Sequence, residues 1–143
     1  MSQRFKRAQT LIQTNHGTWR GWVRGLLGQI EGVMGPPDRY RQWVPQDISR
    51  LVFVCLGNIN RSAFAQAVAQ QGGARCVSVG LATTTGVPAT EQACQVAQEL
   101  GISLDAHRAT SLADFQQLPG DLFIVMELRH AQRLARRGIS PQQ

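Results

Sequence analysis

Nothing in this sequence is apolar for long enough to cross a bilayer, which takes about 20 consecutive residues. No secretory leader is expected either. Arg4, Lys6 and Arg7 supply a charged start, but the AQTLIQTNHGTW that follows is too polar for the core of one. The expected location is therefore the cytoplasm. Cysteine is scarce: Cys55, Cys76 and Cys94 are odd in number and show no Cys-x-x-Cys spacing. That argues against a disulfide framework and against a metal site, so no metal or cofactor is expected. The three read as free thiols, of which at most one needs a chemical role. At 143 residues, 43% of them apolar, the chain has room for one domain with a sizeable core and not for two ordinary ones.

Acidic residues are also few, nine against fifteen Lys and Arg, and the imbalance is uneven. Residues 1–50 hold eight basic side chains against three acids, a charge of +5, whereas residues 51–143 hold seven against six, a charge of +1. Trp19, Trp22 and Trp43 all fall in the first part. The composition divides the chain into a basic, Trp-containing helical extension with a Pro-rich connector (1–48) and a second unit (49–143). Pro36, Pro37 and Pro45 mark the connector.

In the extension, Trp19, Trp22, Val23, Leu26, Leu27, Ile30, Val33 and Met34 recur at spacings of three and four, predicting an amphipathic helix. Thr18 is its N-cap and Gly35-Pro36 its stop. Gly21, Gly25, Gly28 and Gly32 form a second stripe. Four helix-interior glycines cost roughly 4 kcal/mol relative to Ala, so this helix needs a partner surface. Its own second unit is the first expectation. A membrane surface met by residues 18–34 and a second copy of the chain, as a homodimer, are the alternatives. Nucleic acid ranks low, because no reader motif accompanies the charge.

From residue 51 the pattern alternates. LVFV (51–54), CVSVG (76–80) and DLFIVM (121–126) read as short buried strands. Helices are predicted over Arg61–Gln71 (with Phe64, Ala67 and Val68 on one face), over 89–101, over Ser111–Gln117 and over 127–138. Strands alternating with helices predict an α/β fold whose parallel sheet is covered on both faces. Ligands of such sheets sit at the carboxyl ends of the strands. Cys55 lies at such an end.

Five residues separate Cys55 from Arg61: Leu56, Gly57, Asn58, Ile59 and Asn60. A strand, one tight loop and a helix start make a cradle for a tetrahedral anion such as phosphate. A thiol serves as nucleophile only as its thiolate, and the helix start, inward backbone N–H groups and Arg61 all favour that form. The Arg61 guanidinium fits two phosphate oxygens as a fork. Gly57 lets the backbone turn inward, Asn58 tolerates left-handed dihedrals, and Ser62 is placed to donate to the sulfur. The implied reaction is attack of sulfur on phosphorus, followed by hydrolysis of the thiophosphate. Cys76, in a strand, and Cys94, in a helix, read as packing residues.

VFVCLGNINRSAFAQAV resembles the phosphate loop of the low-molecular-weight protein tyrosine phosphatases. The likeness continues through VSVGLATTTGVPA, ELGISLDAHRATSL and DLFIVMELRHAQRL, about residues 50 to 137. It implies a three-layer flavodoxin-like fold, with Cys55 as nucleophile and Arg61 as phosphate binder. Asn58 and Ser62 would support the loop, and His107 would brace it through hydrogen bonds. Phosphotyrosine proteins or aryl phosphates would be the substrates. The basic N-terminal extension resembles a bacterial branch associated with exopolysaccharide systems.

The departures are specific. Asn60 stands where the family often has a second cysteine, Ala63 replaces a proline, and Thr83, Thr84 and Thr85 offer no aromatic wall. The family's general acid is the Asp of an Asp-Pro pair in a later loop. This sequence contains no Asp-Pro pair and reaches Gln143 before that loop, the family's last strand and its last helix. The expectation is a thiolate-based phosphatase of weakened activity. The alternatives are a phosphate- or phosphotyrosine-binding module and, more remotely, an arsenate reductase, which needs two further thiols close together.

Overall fold

The computed structural model describes residues 44–140. The helix expected over residues 18–34, its glycine stripe, and the membrane and dimer surfaces assigned to it lie outside the described residues. A short 3-10 turn (Pro45–Asp47) leads into β1 (Arg50–Cys55), followed by α1 (Arg61–Gln71), β2 (Cys76–Gly80), α2 (Glu91–Glu99), β3 (Asp121–Val125) and α3 (Leu128–Ala135). The three strands form one parallel sheet in the order β2-β1-β3, the α/β architecture the alternation predicts.

The sheet order places Cys55. β1 is central, pairing Val52 with Val77 on one side and with Phe123 on the other. Parallel pairing on both edges explains why its sequence is a nearly continuous apolar run rather than an alternation. Val52 and Val54 are fully buried and form a core with Val79, Leu81, Phe123 and Leu134. The chain leaves β1 toward β2 and later returns to pair β3 on the opposite edge. The carboxyl end of β1 is thus the point where strand order reverses, the usual ligand position in open α/β sheets.

At the other end of the sheet, Arg50 grips Asp121 with two bonds of 2.7 Å, Nε to Oδ1 and Nη2 to Oδ2. It also lies over the Phe115 ring at 5.2 Å, and Phe115 meets Phe123 edge-on. Burial would raise the Asp121 carboxyl, but the Arg50 fork, the Leu118 N–H and the Arg75 charge outweigh it, holding the group below the usual carboxylate range.

Two sequence expectations are corrected. Residues 111–117 form no helix: Ser111 bridges Gly80 in parallel, its N–H bonds Thr85 Oγ1, and the same hydroxyl donates to Asp114 at 2.5 Å. Local side-chain bonds there replace helical ones. On α1 the buried residues are Ser62 and Ala63, while Val68 is 43% exposed instead of facing the core. The first turn of α1 is the buried part, with Ser62 held against Cys55 and Asn58. Among the described residues no helix is long and apolar enough to cross a membrane.

Candidate active site

Cys55 ends β1 with only 3% of its surface exposed. Its sulfur is met by Ser62 Oγ at 2.9 Å and by the Asn58 N–H at 3.1 Å. The loop between them is locked by Asn58, which is fully buried and carries a left-handed φ of 52°. Gly57 is not the residue that takes the positive φ. The left-handed dihedrals that the sequence allows at Asn58 are adopted there, since an asparagine tolerates this conformation better than most side chains.

Every polar group of Asn58 is engaged. Its N–H donates to Cys55, and its carbonyl accepts from His107 Nε2 at 2.7 Å. Because a carbonyl only accepts, that ring nitrogen carries its proton. Asn58 Oδ1 accepts from the Thr110 N–H at 2.8 Å. The two hydrogens of Nδ2 go to Ser62 Oγ at 3.0 Å and Ser78 Oγ at 2.7 Å. These bonds orient both hydroxyls. Ser78 passes its hydrogen to Gln66 Oε1 at 2.6 Å, and Ser62, already an acceptor from Asn58, has its own hydrogen left for the sulfur. The network therefore directs donors at Cys55.

The loop is seated from below by Gly80, the β2 partner of Cys55. A Cβ there would lie 2.6 Å from Thr83 Cγ2, 3.0 Å from Asn58 Cβ and 3.1 Å from the Gly57 carbonyl carbon. Only glycine admits this approach. Residues 81 and 82 continue the contact, their N–H groups donating to the carbonyls of Cys55 and Leu56. On the outer rim Thr90 caps α2 by accepting from the Ala93 N–H and donates its own hydrogen to Asn60 Oδ1 at 2.5 Å. Leu56 is 41% exposed at the mouth, and Ile59 is half-buried.

Arg61 opens α1, and its guanidinium is held by Glu127, Nη1 to Oε1 at 2.5 Å. Glu127 follows β3, the strand beside β1, and its other oxygen bonds Arg129. Burial pushes the Glu127 carboxyl up, yet the bonds from Arg61 and Arg129 and their charges prevail and keep it below its usual range. His130 lies beneath, 1% exposed, with Nε2 3.8 Å from Glu127 Oε1 and no hydrogen-bond partner for either nitrogen among the described residues. Burial lowers its pKa, Glu127 opposes that, and the charges of Arg61, Arg129 and Arg133 reinforce it.

The fold brings Cys55, Asn58, Ser62 and His107 together. Arg61 stands at the loop but is turned to the Glu127 carboxylate. Cys76 lies at the opposite end of β2 from Gly80, four residues or about 13 Å along the sheet from the level of Cys55. Burial raises its thiol. Ser78, Gln66, Thr90, Thr110 and Glu127 were not singled out. Of these, only Glu127 has a local signal: an acid two residues past the end of an apolar strand.

A buried thiol with donors aimed at it, at the reversal point of a parallel sheet and followed by an arginine, has the geometry of a cradle for a tetrahedral anion. The family model for low molecular weight phosphotyrosine protein phosphatases matches residues 50–142, and the chain belongs to that family. It is 35% identical over 92 residues to a protein of Ralstonia nicotianae described as "Probable low molecular weight protein-tyrosine-phosphatase EpsP", covering 63% of each chain. The Escherichia coli K12 low molecular weight protein-tyrosine-phosphatase Wzb is 34% identical over 88 residues, 60% of each. Among solved structures, Vibrio vulnificus Wzb in complex with benzylphosphonate matches with a TM-score of 0.55 and 28% identity, covering 66% of this chain and 67% of that one. The chain thus spans about 63% of the length of the EpsP relative.

Proposed function

We propose that this domain hydrolyses phosphotyrosine-type phosphomonoesters through a cysteinyl-phosphate intermediate on the Cys55-to-Arg61 loop. The observation that carries the reading is the Cys55 sulfur, held between the Asn58 N–H and Ser62 Oγ by a saturated asparagine. The sulfur attacks phosphorus, a P–S bond forms and the P–O bond to the aryl group breaks. Water then attacks phosphorus, the P–S bond breaks and the thiolate returns, stabilised by the Ser62 hydroxyl. Arg61 has its Nε and second Nη free of Glu127, and that edge suits two phosphoryl oxygens. The phosphonate and sulphate complexes of the Wzb proteins support an anion in this loop. So does the arginine phosphatase YwlE, whose cysteine-to-serine mutant carries a phosphorylated active-site serine.

No Asp-Pro pair occurs among residues 1–143, and with these residues alone the leaving group departs unprotonated. A general acid is typically worth 10²–10⁴-fold. Turnover should then fall steeply as the leaving phenol becomes less acidic, with p-nitrophenyl phosphate well ahead of phosphotyrosine peptides. Rates across a series of substituted phenyl phosphates test this. A flat dependence of kcat/KM, which reports the first step alone, identifies a proton donor and overturns the absence of acid catalysis while leaving the cysteinyl-phosphate route standing. Phosphoarginine belongs in the same assay, because YwlE proteins are among the matched structures. The second reading, a phosphate-binding module, draws on the hold of Glu127 on Arg61, and it predicts anion binding with no turnover of any ester.

A further inference from the structure

α3 carries Arg129 and Arg133 four residues apart, and Arg136 follows as its C-cap with helical dihedrals of −65° and −17°. Steps of four and three put the three on one face, and all are exposed. The buried side of the helix, His130 and Leu134, lies roughly 110° around from this row at 100° per residue. The row begins at the candidate active site, because Glu127 bonds Arg61 with one oxygen and Arg129 with the other. Among the described residues Arg133 and Arg136 have no acidic partner. One carboxylate thus serves both Arg61 and Arg129, and the row beyond them has no acidic partner among the described residues.

We propose that Arg129, Arg133 and Arg136 form a docking rail for an acidic segment flanking the phosphorylated residue of a protein substrate. The proposal rests on the phosphatase reading and adds the substrate's surroundings. Seven helical residues span about 10 Å, which an extended peptide covers in about three residues. With the phosphoryl group at Cys55 and Arg61, the acids that reach the rail lie about two to five positions away. A polyanion needs no contact with the thiol, whereas a phosphopeptide joins both sites at once. That continuity through Glu127 favours the peptide.

Each exposed pair is worth about twofold to threefold, so three give roughly tenfold. The test uses the full chain, p-nitrophenyl phosphate, and phosphotyrosine peptides with either three Asp or three Ser at those positions, on each side in turn. Expected is a roughly tenfold higher kcat/KM for one acidic peptide at 50 mM salt, shrinking toward parity at 500 mM. R133E/R136E should abolish or invert that preference with p-nitrophenyl phosphate turnover unchanged. R133K/R136K should keep most of it, and R133Q and R136Q singly should each lose about half to two-thirds. No preference, or one that survives R133E/R136E, overturns the proposal. So does a rail that binds phosphatidylserine vesicles while ignoring the peptides. Should p-nitrophenyl phosphate not turn over, the phosphatase reading fails by itself, and binding of the same labelled peptides decides the rail with the same expected ratios.

Discussion

The two ends of the loop solve the same problem in opposite ways. At Asn58 the backbone is buried, left-handed and saturated with hydrogen bonds from β2, α1 and the 107–110 segment. At Arg61 the side chain is about half exposed and ion-paired to Glu127, itself partly exposed. One end is fixed by polar groups that have nowhere else to go, because a buried unmade bond costs about 1–3 kcal/mol. The other is held by a surface pair usually worth no more than about 1 kcal/mol. The thiol's donors are therefore permanent, while the guanidinium is free to answer an anion.

Asn58→Ala should separate the two ends most clearly. It removes the anchor, strands the Thr110 N–H and takes a donor from each of the Ser62 and Ser78 hydroxyls, for an expected loss of about 3 kcal/mol in urea unfolding. Turnover should fall about 100-fold as the donors to Cys55 drift. Asn58→Gly accepts the same φ without its penalty and should recover about 1 kcal/mol of stability. The activity should stay low, since the bonds are still missing. Equal stability of the two variants would mean that the dihedral carries no strain.

Glu127→Gln acts on the other end. Stability should move by less than about 1 kcal/mol, while kcat/KM for p-nitrophenyl phosphate falls about tenfold because Arg61 is no longer held by charge. A large loss of stability would show that this end is as structural as Asn58.

The smallest effect concerns pH. His130 is kept neutral by burial, so between its lowered folded value and its unfolded value near 6.5 the unfolded chain binds the extra proton. Stability should therefore decline gently as pH falls below about 6.5, and His130→Met should flatten that slope. Asp121 acts lower: its depressed carboxyl stabilises the fold above its unfolded value near 3.9, and that contribution is lost as pH falls through the folded value. Unfolding curves at pH 7.5, 5.5 and 3 distinguish the two.

This contrast also explains what was legible in the sequence. Cys55, Asn58 and Ser62 lie within eight residues, and strand end, turn residue and helix start leave a local trace. Parallel pairing made the sheet readable, because buried central strands are written as apolar runs. Glu127 meets Arg61 across sixty-six residues, and Ser78 meets Asn58 across twenty, through strand order that no local pattern encodes. His107 was identified by resemblance alone. Residues 111–117 misled because their helix-like composition is overruled by Thr85 and by the bridge to Gly80.

The central claim is that Cys55 carries the phosphoryl group. Rapid acid quenching of the full chain during turnover of p-nitrophenyl phosphate, followed by mass spectrometry of its peptides, tests it directly. The account predicts one added phosphoryl group on the peptide holding Cys55, absent in Cys55→Ser kept without substrate and displaced in the wild type by vanadate. Turnover that proceeds unchanged in Cys55→Ser, or a phosphoryl group found on another residue, would contradict it.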